Sequence, residues 1–238
     1  CFVIWQCIVL ASLSVEKMYS ISRIWKAALQ TILLLLVKRE KTAGCLSCPD
    51  VEIRGYIMHK DIEKVLLSEQ EIDQIVTEIA AKLDHDYAGE DKRLVLVCIL
   101  KGSVVFMGDL MKKVTVPVEI DFMRVSSYGA GTESTGTVNI ILDLIRKDLD
   151  QCDLVIVEDI IDSGRTLSHL AKYLQLKGAK SVRTCTLLDK PDRREVQFDV
   201  DYIGRVIPDE FVVGYGLDYA EKYRNLPDIG VLSPRIYA

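Results

Sequence analysis

The chain has 238 residues, enough for one or two domains, and at 49% hydrophobic and 27% charged it has the composition of a soluble enzyme. Its formal net charge of −5 is unevenly spread: residues 1–57 hold seven Lys/Arg against four Asp/Glu, and the remainder holds 23 against 31. An acidic main portion argues against general nucleic-acid binding. The seven cysteines are odd in number and irregular in spacing, so they imply no disulfide framework, and Cys45-x-x-Cys48 lacks a second pair or a histidine that would suggest zinc. A reducing, cytoplasmic setting suits such a chain.

Residues 1–57 begin with Cys1 and contain two apolar runs, Phe2 to Val15 and Ile24 to Val37. Neither reaches the ~18 residues of a spanning helix, and no clear signal-peptide pattern is present. They are expected to be an upstream or expression-derived extension, disordered or non-native, with the enzyme portion running from Met58 to the C-terminus; an uncleaved membrane-associated segment is the alternative.

Within that portion, Ser68-Glu69-Gln70-Glu71 is a capping box. Ile72, Ile75, Val76, Ile79 and Leu83 follow at helical spacing, and the helix is expected to end near Tyr87-Ala88-Gly89. Leu94 to Leu100 reads as a buried strand closed by Lys101-Gly102-Ser103, and Val104 to Val114 as a helix. Val116 to Val125 alternates with acids and predicts a strand nearer an edge. Ser126 to Gly136 is a Gly/Ser/Thr-rich loop of eleven residues, a length and composition usual for a mobile lid or a simply disordered stretch. Thr137 to Leu142 predicts another strand.

The most informative stretch is Asp153 to Leu170. Leu154-Val155-Ile156-Val157 reads as a parallel strand buried on both faces. Glu158 and Asp159 stand where that strand is expected to end, and Asp162-Ser163-Gly164-Arg165-Thr166 leads into Leu167, Leu170, Ala171 and Leu174 at helical spacing. Ligands in α/β sheets sit at the carboxyl ends of parallel strands. A Ser/Gly/Thr turn at a helix start offers backbone N–H groups, hydroxyls and the positive end of the helix dipole to one anion. Acids beside such a turn make sense if a sugar's hydroxyls or a Mg²⁺ lie between them and the phosphate. A ribose 5-phosphate fits this order. The plain alternative is an acidic loop with an ordinary helix cap.

Downstream, Ser181 to Leu188 predicts a strand ending in Asp189-Lys190-Pro191, and Val200 to Ile207 another, before Pro208-Asp209-Glu210-Phe211-Val212-Val213-Gly214-Tyr215-Gly216-Leu217-Asp218-Tyr219. Alternating strands and helices with polar loops at the strand ends predict an α/β fold with an open, mostly parallel sheet flanked by helices.

The run Val155-Ile156-Val157-Glu158-Asp159-Ile160-Ile161-Asp162-Ser163-Gly164-Arg165-Thr166 resembles the phosphoribosyl-diphosphate signature of the type I phosphoribosyltransferases, closest to the hypoxanthine-guanine branch. The resemblance covers about 58–238 and rests on several separate motifs; Met58-His59-Lys60-Asp61 resembles the opening of bacterial members. It implies a small hood built from the chain ends and the 189–224 region. It also implies Mg²⁺-dependent transfer of a phosphoribosyl group from phosphoribosyl diphosphate to a 6-oxopurine. By this resemblance, Lys101 and Gly102 bind pyrophosphate after a cis Leu100–Lys101 peptide. Ser127 and Tyr128 close over the site. Glu158 and Asp159 meet the ribose and Mg²⁺, and Ser163, Gly164, Arg165 and Thr166 hold the phosphate. Asp162 handles the purine N7 proton and Lys190 reads O6. Phe211 stacks on the base, Val212 offers backbone groups to its edge, Asp218 sits near a second Mg²⁺, and Arg224 meets pyrophosphate. Arg165 stands where a lysine is also common. A homo-oligomer, dimer or tetramer, is implied as well.

Two other readings share these motifs: a nucleotide-sensing regulator on the same fold, and a transferase for xanthine. A regulator would need a basic face and could dispense with the base-reading lysine or the general base, whereas this chain is acidic and keeps Lys190 and Asp162. No membrane association and no nucleic acid are expected for 58–238.

Overall fold

A computed structural model describes residues 59–127 and 138–237. The extension 1–57, Tyr128 and most of the expected lid therefore lie outside the described residues. Among the described residues nine strands and three α-helices follow one another: β1 (Ile62–Leu67), α1 (Glu69–Tyr87), β2 (Leu94–Leu100), α2 (Val104–Lys113), β3 (Val118–Ser127), β4 (Val138–Leu142), β5 (Asp153–Ile161), α3 (Arg165–Leu176), β6 (Ser181–Asp189), β7 (Tyr202–Val206), β8 (Val212–Val213) and β9 (Ile229–Leu232).

Six strands form the main sheet in the order β4-β3-β2-β5-β6-β7. All neighbours are parallel except β3 and β4, which are antiparallel. At β2 and β5 the sheet is covered on both faces, as unbroken apolar strands require. Alternate residues of β2 and β5 take opposite sides. Leu96, Cys98, Val155 and Val157 pack with Ile72, Ile79 and Leu83 of α1 and Phe106 of α2. Val95, Val97, Leu154 and Ile156 pack with Leu167, Leu170 and Leu174 of α3. Each such side chain removed from water contributes about 1.5–3 kcal/mol. α1 starts as the capping box predicts: the Ser68 hydroxyl accepts from Glu71 N, and Ser68 N donates to the Glu71 carboxylate at 2.9 Å.

Two expectations change, at the end of β5 and in the hood. β5 does not stop before the acids: Glu158 pairs with Thr186 and Ile161 with Asp189, so both acids belong to the strand's last turn of pleat rather than to a loop. β3 lies next to the edge, between β2 and the edge strand β4, as its alternation predicts. Its alternation reflects sparse cover over its faces, since Met123 is the fully buried member. The hood is a separate antiparallel sheet, β1-β9-β8. Its strand β1 gave no clear alternation in the sequence, and of the 189–224 region β7 belongs to the main sheet.

Candidate active site

The site grows from the carboxyl ends of β2, β5 and β6. After β2 the Leu100–Lys101 peptide is cis, as expected. Gly102 then lies directly on Asp159: a Cβ at this position would stand 1.6 Å from Asp159 Oδ2, so only glycine permits the approach. Asp159 is pushed up to about 6, first by burial and also by the charge of Asp218, against the Ile160 amide and Arg224, which favour its ionised form. Its Oδ1 accepts from Ile160 N at 2.9 Å. Glu158 is raised well above the carboxylate range by burial and by Asp159 beside it, and its buried Oε2 has no hydrogen-bond partner. A buried acceptor left unpaired is costly, and it is explained if a hydroxyl or a cation completes it.

Three residues beyond the end of β5 at Ile161, Gly164 stands at the N-cap of α3 with φ of 79°, and no side chain caps the helix. The first-turn N–H groups, with Thr166 among them, are thus presented at the positive end of the dipole. Ser163 contributes its hydroxyl toward Arg165 N at 3.4 Å, and the Arg165 guanidinium turns to Glu195 at 2.6 Å. The carboxylate of Asp162 lies at the rim of the turn, with Oδ1 3.1 Å from Arg193 Nε in a charge contact off the line of a hydrogen bond.

Lys190, at the end of β6, is buried, donates from Nζ to the Glu210 carbonyl at 2.6 Å, and lies 3.9 Å from Asp209. Burial lowers its pKa, while Asp162 and Asp209 pull it back up. Its own N–H donates to Ile161 O at 3.0 Å, which ties the lysine to the end of β5. The neighbouring Phe211 is partly exposed, stacks on Tyr237 at 4.9 Å and meets Tyr219 edge-on at 5.6 Å. Val212 is buried in β8, paired with Val231.

On the other side Arg224 holds Asp218 at 2.8 Å and the Gly216 carbonyl at 2.7 Å. Glu221 bridges Lys101 at 2.9 Å and Arg224 at 3.3 Å. The fold therefore brings Lys101, Gly102, Asp159, Asp218 and Arg224 to one place, and Asp162, Ser163, Gly164 and Lys190 to another beside it. Ser127 closes β3, and its side chain and Tyr128 fall outside what is described. Glu158, Asp159 and Asp218 do not make a protein-only metal site: among the described residues no three His, Cys, Asp or Glu side chains gather as a ligand set. Sequence reasoning missed Arg193, Arg194 and Glu221. The adjacent basic pair after Lys190 was the one available signal; Glu221 had none.

The profile of the phosphoribosyl transferase domain family matches residues 64–220. The hypoxanthine-guanine phosphoribosyltransferase of Staphylococcus aureus is 51% identical over 181 residues, spanning 76% of this chain and 99% of that protein. The bifunctional protein TilS/HprT of Listeria monocytogenes is 52% identical over 181 residues, and there the match spans 28% of the relative's length. The crystal structure of an S. aureus hypoxanthine phosphoribosyltransferase matches with a TM-score of 0.73 at 50% identity, covering 78% of this chain and 99% of that one. A Trypanosoma cruzi hypoxanthine phosphoribosyl transferase matches with a TM-score of 0.72 at 39% identity, covering 76% and 97%. The chain belongs to the phosphoribosyl transferase domain family.

Proposed function

We propose that residues 58–238 form a phosphoribosyltransferase that joins a 6-oxopurine, hypoxanthine and also guanine, to phosphoribosyl diphosphate, yielding the nucleoside monophosphate and pyrophosphate. One observation carries this reading: the buried Lys190 is hydrogen-bonded to the end of the strand that bears Glu158, Asp159 and the uncapped Gly164 turn. A cationic donor for an exocyclic oxygen thus stands beside a ribose-phosphate cradle. The S. aureus and T. cruzi relatives named above are hypoxanthine or hypoxanthine-guanine phosphoribosyltransferases, which supports the same substrates here.

In this reading the Ser163–Thr166 turn holds the 5-phosphate, and Glu158 and Asp159 accept from the ribose hydroxyls. Lys101, Gly102 and Arg224 receive the pyrophosphate, and Ser127 and Tyr128 cover it. Phe211 stacks on the base, Val212 meets its edge through the backbone, and Lys190 donates to O6. The bond from C1′ to the pyrophosphate oxygen breaks as the bond from C1′ to the purine nitrogen forms, through an oxocarbenium-like state. The proton the purine must shed passes at N7 to Asp162. Arg165 stands at the mouth of the phosphate turn.

The unpartnered Glu158 Oε2 and the raised Asp159 fit a divalent cation. Magnesium commonly takes one or two carboxylates and completes its shell with phosphate oxygens. Bound there by Glu158 and Asp159, with Asp218 near a second ion, Mg²⁺ would neutralise the leaving pyrophosphate. Among the described residues no helix is long and apolar enough to cross a membrane. A cytoplasmic enzyme without nucleic-acid partners fits the free, buried cysteines among the described residues and the acidic charge, while a homo-oligomer rests on the family resemblance alone.

The test is a pyrophosphate-release assay with phosphoribosyl diphosphate and Mg²⁺, with and without hypoxanthine. Base-dependent release with stoichiometric nucleoside monophosphate is expected. No release, or release without a nucleotide, would overturn the reading.

A further inference from the structure

Two segments far apart in sequence meet at the candidate site: the turn after β5, residues 161–165, and the loop after β6, residues 189–196. Their backbones are joined by Lys190 N to Ile161 O at 3.0 Å, and by Glu195 N and Val196 N to Ser163 O at 3.0 and 3.1 Å. None of these bonds touches Asp162. That residue's main chain is held by the Arg194 side chain, whose Nη1 donates to Asp162 O at 2.6 Å. The same guanidinium reaches back through Nη2 to Asp189 Oδ1 at 2.5 Å. Asp189 is buried at the end of β6, directly before Lys190, and its own carbonyl accepts from Ile207 N at 2.8 Å. The stem of Arg194 also lies over the phosphate turn, since a Cβ on Gly164 would come within 3.0 Å of Arg194 Cδ. One planar, mostly buried side chain thus spans the residue before the base-reading lysine and the residue that bears the catalytic carboxylate.

Resting on the reading above, we propose that Arg194 is a positioning residue: its fork fixes Asp162 against the Asp189–Lys190 corner, so that N7 and O6 of a purine are met by one rigid unit. A guanidinium suits this task because its donors point in fixed directions and can serve two acceptors at once, whereas a lysine offers a point charge. The geometry matters because a misplacement of about 1 Å in a reacting group can cost on the order of 100-fold in rate.

The decisive variant is Arg194→Lys, which keeps a cation for the buried Asp189 carboxylate but cannot span both acceptors. It is expected to lower kcat with hypoxanthine by about 10- to 100-fold. Its dissociation constant for phosphoribosyl diphosphate, read by calorimetry on the same preparation, should stay within about threefold. Asp189→Asn, which leaves Arg194 an acceptor but removes its counter-charge, should show a smaller kcat loss of the same kind. The double variant Arg194→Lys/Asp162→Asn should be no slower than Asp162→Asn alone, because residues acting through one another do not add. Additive losses, or a kcat for Arg194→Lys within about twofold of the parent, would overturn the proposal. So would a parallel loss of diphosphate affinity and melting temperature, which would make Arg194 a structural clasp only. If Asp162→Asn alone kept full turnover, the function assigned to Asp162 would fail, a result distinct from failure of the Arg194 claim.

Discussion

At the scale of single residues, placement was legible wherever it depends on a residue's own neighbours in sequence. Glu158, Asp159 and the Gly164 turn could be read because strand end, acids and turn are contiguous. Arg194 could not, because its meaning lies in bonds to residues 32 and 5 positions away. Asp162→Asn tests the proton-handling assignment, since it keeps shape and removes basicity. General acid–base assistance is worth about 10²- to 10⁴-fold, so kcat should fall by that order while diphosphate affinity falls little or rises. Near-normal turnover in a steady-state assay would reduce Asp162 to a turn residue. Lys190→Ala tests base reading. A hydrogen bond to a charged group contributes roughly 1.5–3 kcal/mol, so kcat/KM for hypoxanthine should drop about 10- to 150-fold with phosphoribosyl-diphosphate binding retained. An unchanged kcat/KM would leave the lysine a structural group tied to the Glu210 carbonyl.

At the scale of elements, β2, β5, β6 and the helices α1, α2 and α3 followed from apolar period and capping, because burial on two faces leaves an unbroken signal. The end of β5 did not. Polar residues at a strand's carboxyl end look like loop in sequence, yet here they stay paired with β6 through Ile161. β1 was missed because only its first and last residues are buried. The Lys101–Gly102 loop provides the element-scale prediction. Any Cβ at 102 would enter the Asp159 carboxylate, so Gly102→Ala must displace either the loop or the acid. A weaker affinity for phosphoribosyl diphosphate by calorimetry, with a little-changed melting temperature, is the expected outcome. Parent-like affinity would show that neither partner's position matters to that ligand.

At the scale of the whole molecule, the α/β class and the parallel sheet were expected and found. The hood proved to be a distinct antiparallel sheet drawing strands from both ends of the described chain. A chain beginning at Met58 contains β1 and every residue placed in the site, and the aligned relatives match over 181 residues. It should be soluble and as active as the full chain; aggregation or lost turnover would make residues 1–57 part of the fold. What distinguishes the assembled site is the base it accepts. A site whose buried cation donates to an exocyclic oxygen should reject a donor amine at the same position strongly, because the pairing cannot be exchanged without leaving buried groups unsatisfied. The most direct measurement is kcat/KM for hypoxanthine, guanine, xanthine, adenine and uracil under one set of conditions. Hypoxanthine and guanine should lead, with adenine and uracil lower by at least about 100-fold. Equal or preferred use of adenine or uracil would contradict the account.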